Sequence, residues 1–267
     1  MYRYLIILLA SLALPHIAVA ESPIRGELRR LFVDMANADS ISTVFMVDSI
    51  YAQARASGKL DDVDLEIETM LYDYWSDDFD ERLFEFFIDG RMRGSMFSEV
   101  SKARAGYIKE ILNRNKPGSI AADFCVIMRD GNESSLHKMI SSIENDDKED
   151  WKKNEVVTDC CPTAQSKVLL IFYDPDCDDC REAKAQLLTN PEFSNLKVIA
   201  IYSGEDVSLY ESTLPEMPRN WLVGRAIESV EEAGLYDFMT MPTLYLLDFN
   251  GRVVLRNAKL KEILRIV

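Results

Sequence analysis

The sequence predicts an α/β chain in which an all-α region precedes a mixed sheet flanked by helices. Three observations carry this. Apolar residues from Ile24 to Arg114 recur at helical spacing with almost no strand signal. From Lys167 onward, β-favouring apolar runs alternate with helical runs and turn residues. Joining these patterns to chemistry, the apolar run Lys167–Tyr173 meets Asp174-Pro175-Asp176-Cys177-Asp178-Asp179-Cys180, and a helical run with Ala183, Leu187 and Leu188 follows. That is a strand, a tight turn and a helix, with Cys-x-x-Cys at the turn.

The first element in order is an export signal. Residues 1–20 carry Arg3, an apolar stretch from Leu5 to Leu14, Pro15, and Ala18-Val19-Ala20 before Glu21, an Ala-x-Ala cleavage pattern. The apolar stretch is short for a membrane span, and no cysteine near the cleavage point signals a lipid anchor. The expected organisation is therefore a leader over 1–20, a helical domain over 21–114 and an α/β domain over 115–267. The formal charge of the chain is -15. So acidic a chain is repelled by phosphate, which argues against nucleic acid, DNA or RNA, and against anionic membrane surfaces as partners.

About five helices are expected in the first domain. Leu28, Leu31, Phe32 and Met35 form one stripe, and Val44, Val47, Ile50, Tyr51 and Ala54 a second, ended by Gly58. Val63, Ile67, Met70, Leu71, Tyr74 and Trp75 form a third, followed by Leu83 to Ile88 and by Val100, Ala103, Tyr107, Ile108 and Leu112. The aromatics between Tyr72 and Phe87, Trp75 among them, read as packed core, with an exposed recognition surface as the alternative. Asn113-Arg-Asn-Lys-Pro-Gly118 is a turn-rich break and marks the boundary.

Beyond it, Ala122 to Met128, a reverse turn at Asp130-Gly131 and a short return strand predict a hairpin, with a short helix over Ser134–Ile143. Glu144 to Asp150 is a charge run, read as a solvated loop. After the Cys-x-x-Cys helix come a strand at Leu196–Tyr202, a loop or short helix over Gly204–Pro218, and Trp221–Val223 as a strand or part of that insertion. A helix over Ala226–Leu235, a strand over Met241–Leu247, a hairpin turn at Asp248–Gly251 into Arg252–Leu255 and a closing helix over Lys259–Val267 complete the chain.

The cysteines carry the chemistry. At the start of a helix Cys177 meets unpaired backbone N–H groups and the positive end of the macrodipole, which favour a thiolate. Cys180, three residues on, lies on the same face and can attack a mixed disulfide formed by Cys177. The other reading of Cys-x-x-Cys is half of a zinc site. It needs two further ligands, and the chain offers only His16, within the leader, His137, and the adjacent pair Cys160-Cys161. No metal or cofactor is expected. With five cysteines in an exported chain, at least one thiol stays free or cycles. Cys125, among apolar residues, is expected to be a small buried hydrophobe. Neighbouring cysteines do not bridge each other comfortably, so Cys160 and Cys161 are candidate auxiliary thiols that pair elsewhere or pass electrons to the main pair.

The strand-Cys-x-x-Cys-helix unit, Met241-Pro242-Thr243 before a strand and the Asp-x-x-Gly hairpin resemble the thioredoxin fold, specifically its exported TlpA/ResA-like branch. The helical N-terminus, Asn115-Lys116-Pro117-Gly118 and Ala121-Ala122-Asp123-Phe124 are similar to thioredoxin-like proteins of Bacteroidetes-type bacteria that carry a helical domain of uncharacterised function in front. The resemblance implies a cis bond before Pro242, with Met241 and Pro242 shaping a substrate groove beside the cysteines. It also marks departures. Common thioredoxins have Trp before the first cysteine and Gly-Pro between the pair, where this chain has Asp176, Asp178 and Asp179. The buried acid that thioredoxin keeps six residues before its first cysteine is Ile171 here, so the proton relay ascribed to that acid does not carry over.

The acidic turn tunes the pair. Asp174, Asp176, Asp178 and Asp179 oppose a thiolate at Cys177, which predicts a reducing rather than strongly oxidising couple; Asp176 and Asp179 also read as caps of the helix. The sequence thus supports a periplasmic thiol-disulfide oxidoreductase, reducing cysteine-containing exported proteins with electrons from a membrane donor. The alternative is a non-catalytic binding or adaptor protein, in which the helical domain captures a protein partner and the α/β fold is a scaffold.

Overall fold

The computed structural model describes residues 22–143 and 167–267. The predicted leader, the charge run at 144–150 and the Cys160-Cys161 pair lie outside the described residues.

The first region consists of α1 (Pro23–Ala36), α2 (Ser40–Ala56), α3 (Leu60–Leu71), α4 (Glu81–Arg93) and α5 (Glu99–Asn113). Four of them start for a local reason: the side chains of Ser22, Asp39, Asp80 and Ser98 accept the N–H of the third residue onward, satisfying a donor the helix leaves unpaired. Their apolar stripes meet around Phe32, Tyr51, Phe84 and Phe87, where rings pack edge to face at 5.8 Å. The predicted stripe on α5 needs correction. Ala105, Ile108, Ile111 and Leu112 are buried, whereas Val100, Ala103 and Tyr107 face outward. Both sets have helical spacing, and only packing against α4 selects between them. Trp75, expected in the core, lies in the loop after α3 and is exposed.

The second region is built on one sheet. Among the described residues its strands are β1 (Cys125–Met128), β2 (Glu133–Ser135), β3 (Lys167–Tyr173), β4 (Lys197–Tyr202), β5 (Leu222–Ala226), β6 (Thr243–Asp248) and β7 (Val253–Leu255), in the order β2-β1-β5-β4-β3-β6-β7. Strands β3, β4 and β5 are mutually parallel; every other pairing is antiparallel. Residues 136–143 form α6, and α7 (Asp178–Thr189), α8 (Val207–Thr213) and α9 (Leu260–Ile263) follow. Central position explains why β3 is apolar throughout: alternate residues serve opposite faces. Val168, Leu170 and Phe172 pack with Phe124, Leu136 and Tyr245, while Leu169, Ile171 and Tyr173 pack with Cys180, Leu187 and Ile263.

Three further expectations are corrected. Ala226–Leu235 is not a helix: Ala226 closes β5 opposite Val126, and the residues after it make a turn that Gly234 completes at φ 67°. Cys125 is exposed, because strand alternation puts its neighbour Val126 inside. The closing helix spans only Leu260–Ile263, with turn hydrogen bonds continuing to Val267. The insertion after β4 combines both alternatives, α8 and a 3-10 turn over Leu214–Glu216, and Trp221 immediately precedes β5.

The two regions are joined by hydrogen bonds. Nη1 of Arg256 donates to the carbonyls of Leu112 and Arg114 at the end of α5, and Asn257 donates to Glu81.

Candidate active site

The site forms where β3 ends. The Asp174 carboxylate accepts the Asp176 N–H at 2.9 Å, and the Asp174 carbonyl accepts the Cys177 N–H at 3.2 Å. This turn delivers Cys177 to the N-cap of α7 in extended conformation, φ -82° and ψ 124°. There its sulfur takes the place of the usual capping oxygen, accepting the backbone N–H of Cys180 at 3.4 Å. Cys177, rather than Asp176 or Asp179, is therefore the cap. Asp178 and Asp179 occupy the first turn, where acidic groups complement the helix dipole.

The cysteines differ in environment. Both are free thiols, Cys177 half-buried and Cys180 buried. Burial pushes the Cys180 thiol up to about 12; the Asp174 N–H, which donates to its sulfur at 3.5 Å, pulls the other way, and both Cys177 and the Asp174 carboxylate raise it further. Cys180 is thus a neutral thiol across physiological pH. Behind it lies a cavity of about 60 Å³ that includes Ile171, Tyr173, Ala200 and Trp221. Of the four acids, Asp176, Asp178 and Asp179 are exposed and only Asp174 is half-buried. Asp178 pairs with Arg181, whose guanidinium also donates to the Pro175 carbonyl at 2.8 Å. Exposed charges act through water and salt, and Asp174 is the one of the four that acts on Cys180.

Met241 and Pro242 arrive from the opposite side. The bond between them is cis, and the Cys177 thiol lies 3.6 Å from the Met241 carbonyl oxygen, to which it donates. A groove of about 350 Å³ runs from here along α7, lined by Ala183, Met241 and Pro242 and, from the helical region, by Tyr74 and Trp75. The sequence reads these last two as core, or alternatively as a recognition surface, but does not place them beside the cysteines. The available signal was their setting: Tyr72 to Asp80 alternates aromatics with aspartates and Ser76, a turn-rich pattern that suits exposed rings better than a core helix. Among the described residues no group of three or more His, Cys, Asp or Glu side chains is arranged to hold a metal ion.

Comparison with solved structures adds a parallel. The chain is similar to a thioredoxin-like protein from Bacteroides caccae at a TM-score of 0.71, with 20% identity over 90% of this chain and 82% of the other. This is a thioredoxin fold. Since the match takes in most of the chain, the helical region in front of the thioredoxin fold is part of the likeness. Shorter matches include a conserved protein of unknown function from Bacteroides fragilis, with 27% identity over 56% of this chain and 97% of the other, TM-score 0.45. Another is the thioredoxin domain of a thiol-disulfide oxidoreductase from Bacteroides vulgatus, with 17% identity over 56% and 93%, TM-score 0.39. No protein-family model matches the chain, and no curated protein matches it in sequence.

Proposed function

We propose that the protein is a periplasmic thiol-disulfide oxidoreductase that reduces disulfides of exported proteins, with residues 21–114 as a helical domain and 115–267 as the redox domain. One observation carries this reading: a half-exposed Cys177 sulfur at the head of α7, hydrogen-bonded by the Cys180 N–H, with Cys180 buried directly behind it. The thioredoxin fold lends support, and no helix among the described residues is long and apolar enough to cross a membrane.

In the reaction, Cys177 as thiolate attacks one sulfur of a substrate disulfide. The substrate S–S bond breaks, one substrate thiolate leaves and takes up a proton, and a mixed disulfide remains on Cys177. Cys180 then loses its proton and attacks the Cys177 sulfur, releasing the second substrate thiol. The protein ends as the Cys177–Cys180 disulfide and two electrons have passed to the substrate. The order follows from electrostatics. Burial is the largest obstacle to ionising Cys180, and it persists; the charge and hydrogen bond of Cys177 oppose ionisation too, but they vanish once that sulfur is in a mixed disulfide. A dithiol of the membrane electron donor restores the pair by the reverse exchange: its first thiolate attacks Cys177 and expels Cys180, its second attacks the mixed disulfide and releases Cys177, and the donor is left as a disulfide.

The test is the reduction potential of the pair, by equilibration in thiol buffers with trapping and mass spectrometry. A reversible two-electron couple below about -260 mV is expected, on the reducing side of the glutathione range measured by extraction. Cys177→Ser abolishes disulfide reduction and Cys180→Ser accumulates the mixed disulfide. A pair that does not cycle, or one near -120 mV, the value of a strong oxidant, overturns the reductase reading.

A further inference from the structure

We propose that the helical region supplies part of the substrate site: Trp75, backed by Tyr74, forms the wall of a groove that receives an extended, cysteine-bearing polypeptide segment beside Cys177. The inference rests on the oxidoreductase reading above and names its substrate class.

Trp75 is 66% exposed, unusual for so large an apolar ring, yet it is held firmly. Its backbone N–H donates to the Asp73 carboxylate at 3.0 Å, which fixes the main chain beneath it, and its ring stands edge-on to Tyr74 at 5.4 Å. The loop itself is pinned. Ser76 N–H donates to the Asp73 carbonyl, Asp80 N–H to the Leu71 carbonyl, and Asp78 pairs with Arg29 at 2.6 Å. The second region fastens the same loop: Lys259 Nζ donates to the Ser76 carbonyl at 3.1 Å and lies over the Tyr74 ring, whose hydroxyl donates to the Ala258 carbonyl at 3.4 Å. An exposed aromatic presented in one fixed position loses little entropy on contact, which is the character of a binding hot spot.

Position decides what it would bind. Trp75 lines the same groove as Met241 and Pro242, and the Met241 carbonyl touches the Cys177 thiol. A chain lying in the groove therefore presents its own cysteine to Cys177 while neighbouring residues reach Trp75. A small disulfide that reacts at Cys177 fills far less of the roughly 350 Å³. The lining also carries both charges, Asp179 and Glu182 from α7 and Lys259 and Lys261 from the segment of α9. A lining that mixes apolar surface with both charges suits a polypeptide rather than a small anion.

The experiment mixes the pre-reduced full chain with either glutathione disulfide or an unfolded, fully oxidised polypeptide and follows a single turnover. For Trp75→Ala the ratio of polypeptide to glutathione-disulfide rates falls about tenfold, Trp75→Phe recovers most of it, and Leu65→Ala, an exposed apolar change elsewhere, leaves the ratio unchanged. A second arm measures binding of a cysteine-free peptide, with serine at the cysteine position and a flanking aromatic residue, by fluorescence anisotropy; Trp75→Ala weakens it by a similar factor. Equal loss on both substrates, or an unchanged ratio with unchanged peptide binding, overturns the inference, as does a dimer of the wild type that Trp75→Ala dissolves. If the wild type reduces neither substrate, the oxidoreductase reading fails by itself, and the peptide arm still decides the groove.

Discussion

The Arg256 guanidinium holds the Glu81 carboxylate, Nη2 donating to Oε1 at 3.0 Å while Nε lies 2.9 Å from Oε2, and so links the loop after β7 to the head of α4. The third nitrogen of the same side chain, Nη1, donates to the Leu112 and Arg114 carbonyls at the end of α5. A single buried side chain thus ties the helical region to the sheet.

Arg256→Ala strands that carboxylate and those carbonyls, and removing one partner of a buried pair typically costs about 3–5 kcal/mol. Urea denaturation of the reduced protein should show a loss in that range, whereas a loss below about 1 kcal/mol would refute the role. The pH dependence follows from the sign. Burial raises the Glu81 carboxyl above its ordinary range while Arg256 and Asn257 pull it down. Without Arg256 it rises further, so the variant's deficit grows as pH rises past the ordinary carboxylate range and the carboxyl is forced to ionise.

Cys180 gives a second pH signature. Its thiol is pushed up to about 12, whereas an unfolded cysteine ionises near 8.5. The dithiol protein therefore has its full stability contribution below about pH 8.5 and loses it as pH climbs toward 12, because only the unfolded chain releases this proton there. Denaturation midpoints measured across that window should fall for the wild-type dithiol and fall less for Cys180→Ala; parallel curves would contradict the assignment. Asp174→Asn should move the onset of Cys180 alkylation to lower pH, since the Asp174 carboxylate contributes to raising it.

Close packing of α2 on α4 depends on Gly90. A Cβ there would lie 2.5 Å from Cγ1 of Val47 and 3.4 Å from the Tyr51 ring. Ala gains about 1 kcal/mol in helix propensity over Gly, but overpacking costs roughly 1–3 kcal/mol. Gly90→Ala should therefore lower stability by up to about 2 kcal/mol, and Gly90→Ala with Val47→Ala should show a favourable coupling energy in a double-mutant cycle. A Gly90→Ala variant more stable than wild type would mean that the helices simply move apart.

By itself the sequence determined much of this protein. The period of 3.6 in residues 24–114 and of 2 in the strands reports which face each element buries, so helices α1 to α4, the β1–β2 hairpin and the β3-turn-α7 unit with Cys177 and Cys180 were legible before any coordinates. Local rules sufficed there, because the strand, the turn and the helix start are each encoded within a few residues. Where two local readings were equally good, only tertiary structure chose. Packing on α4 decided which stripe of α5 turned inward, and the pairing of Ala226 with Val126 overrode a helical pattern in Ala226–Leu235. Exposure of Cys125 followed from the register of β1. Long-range relations are not written in any one segment: only the family resemblance put Met241 beside the cysteines, the turn-rich setting of Trp75 hinted at exposure but not at the groove it lines, and nothing local announced the pairing of Arg256 with Glu81. Periodicity reports burial, which is a property of one segment, whereas a site is a meeting of several, and their meeting is fixed only when the cores close.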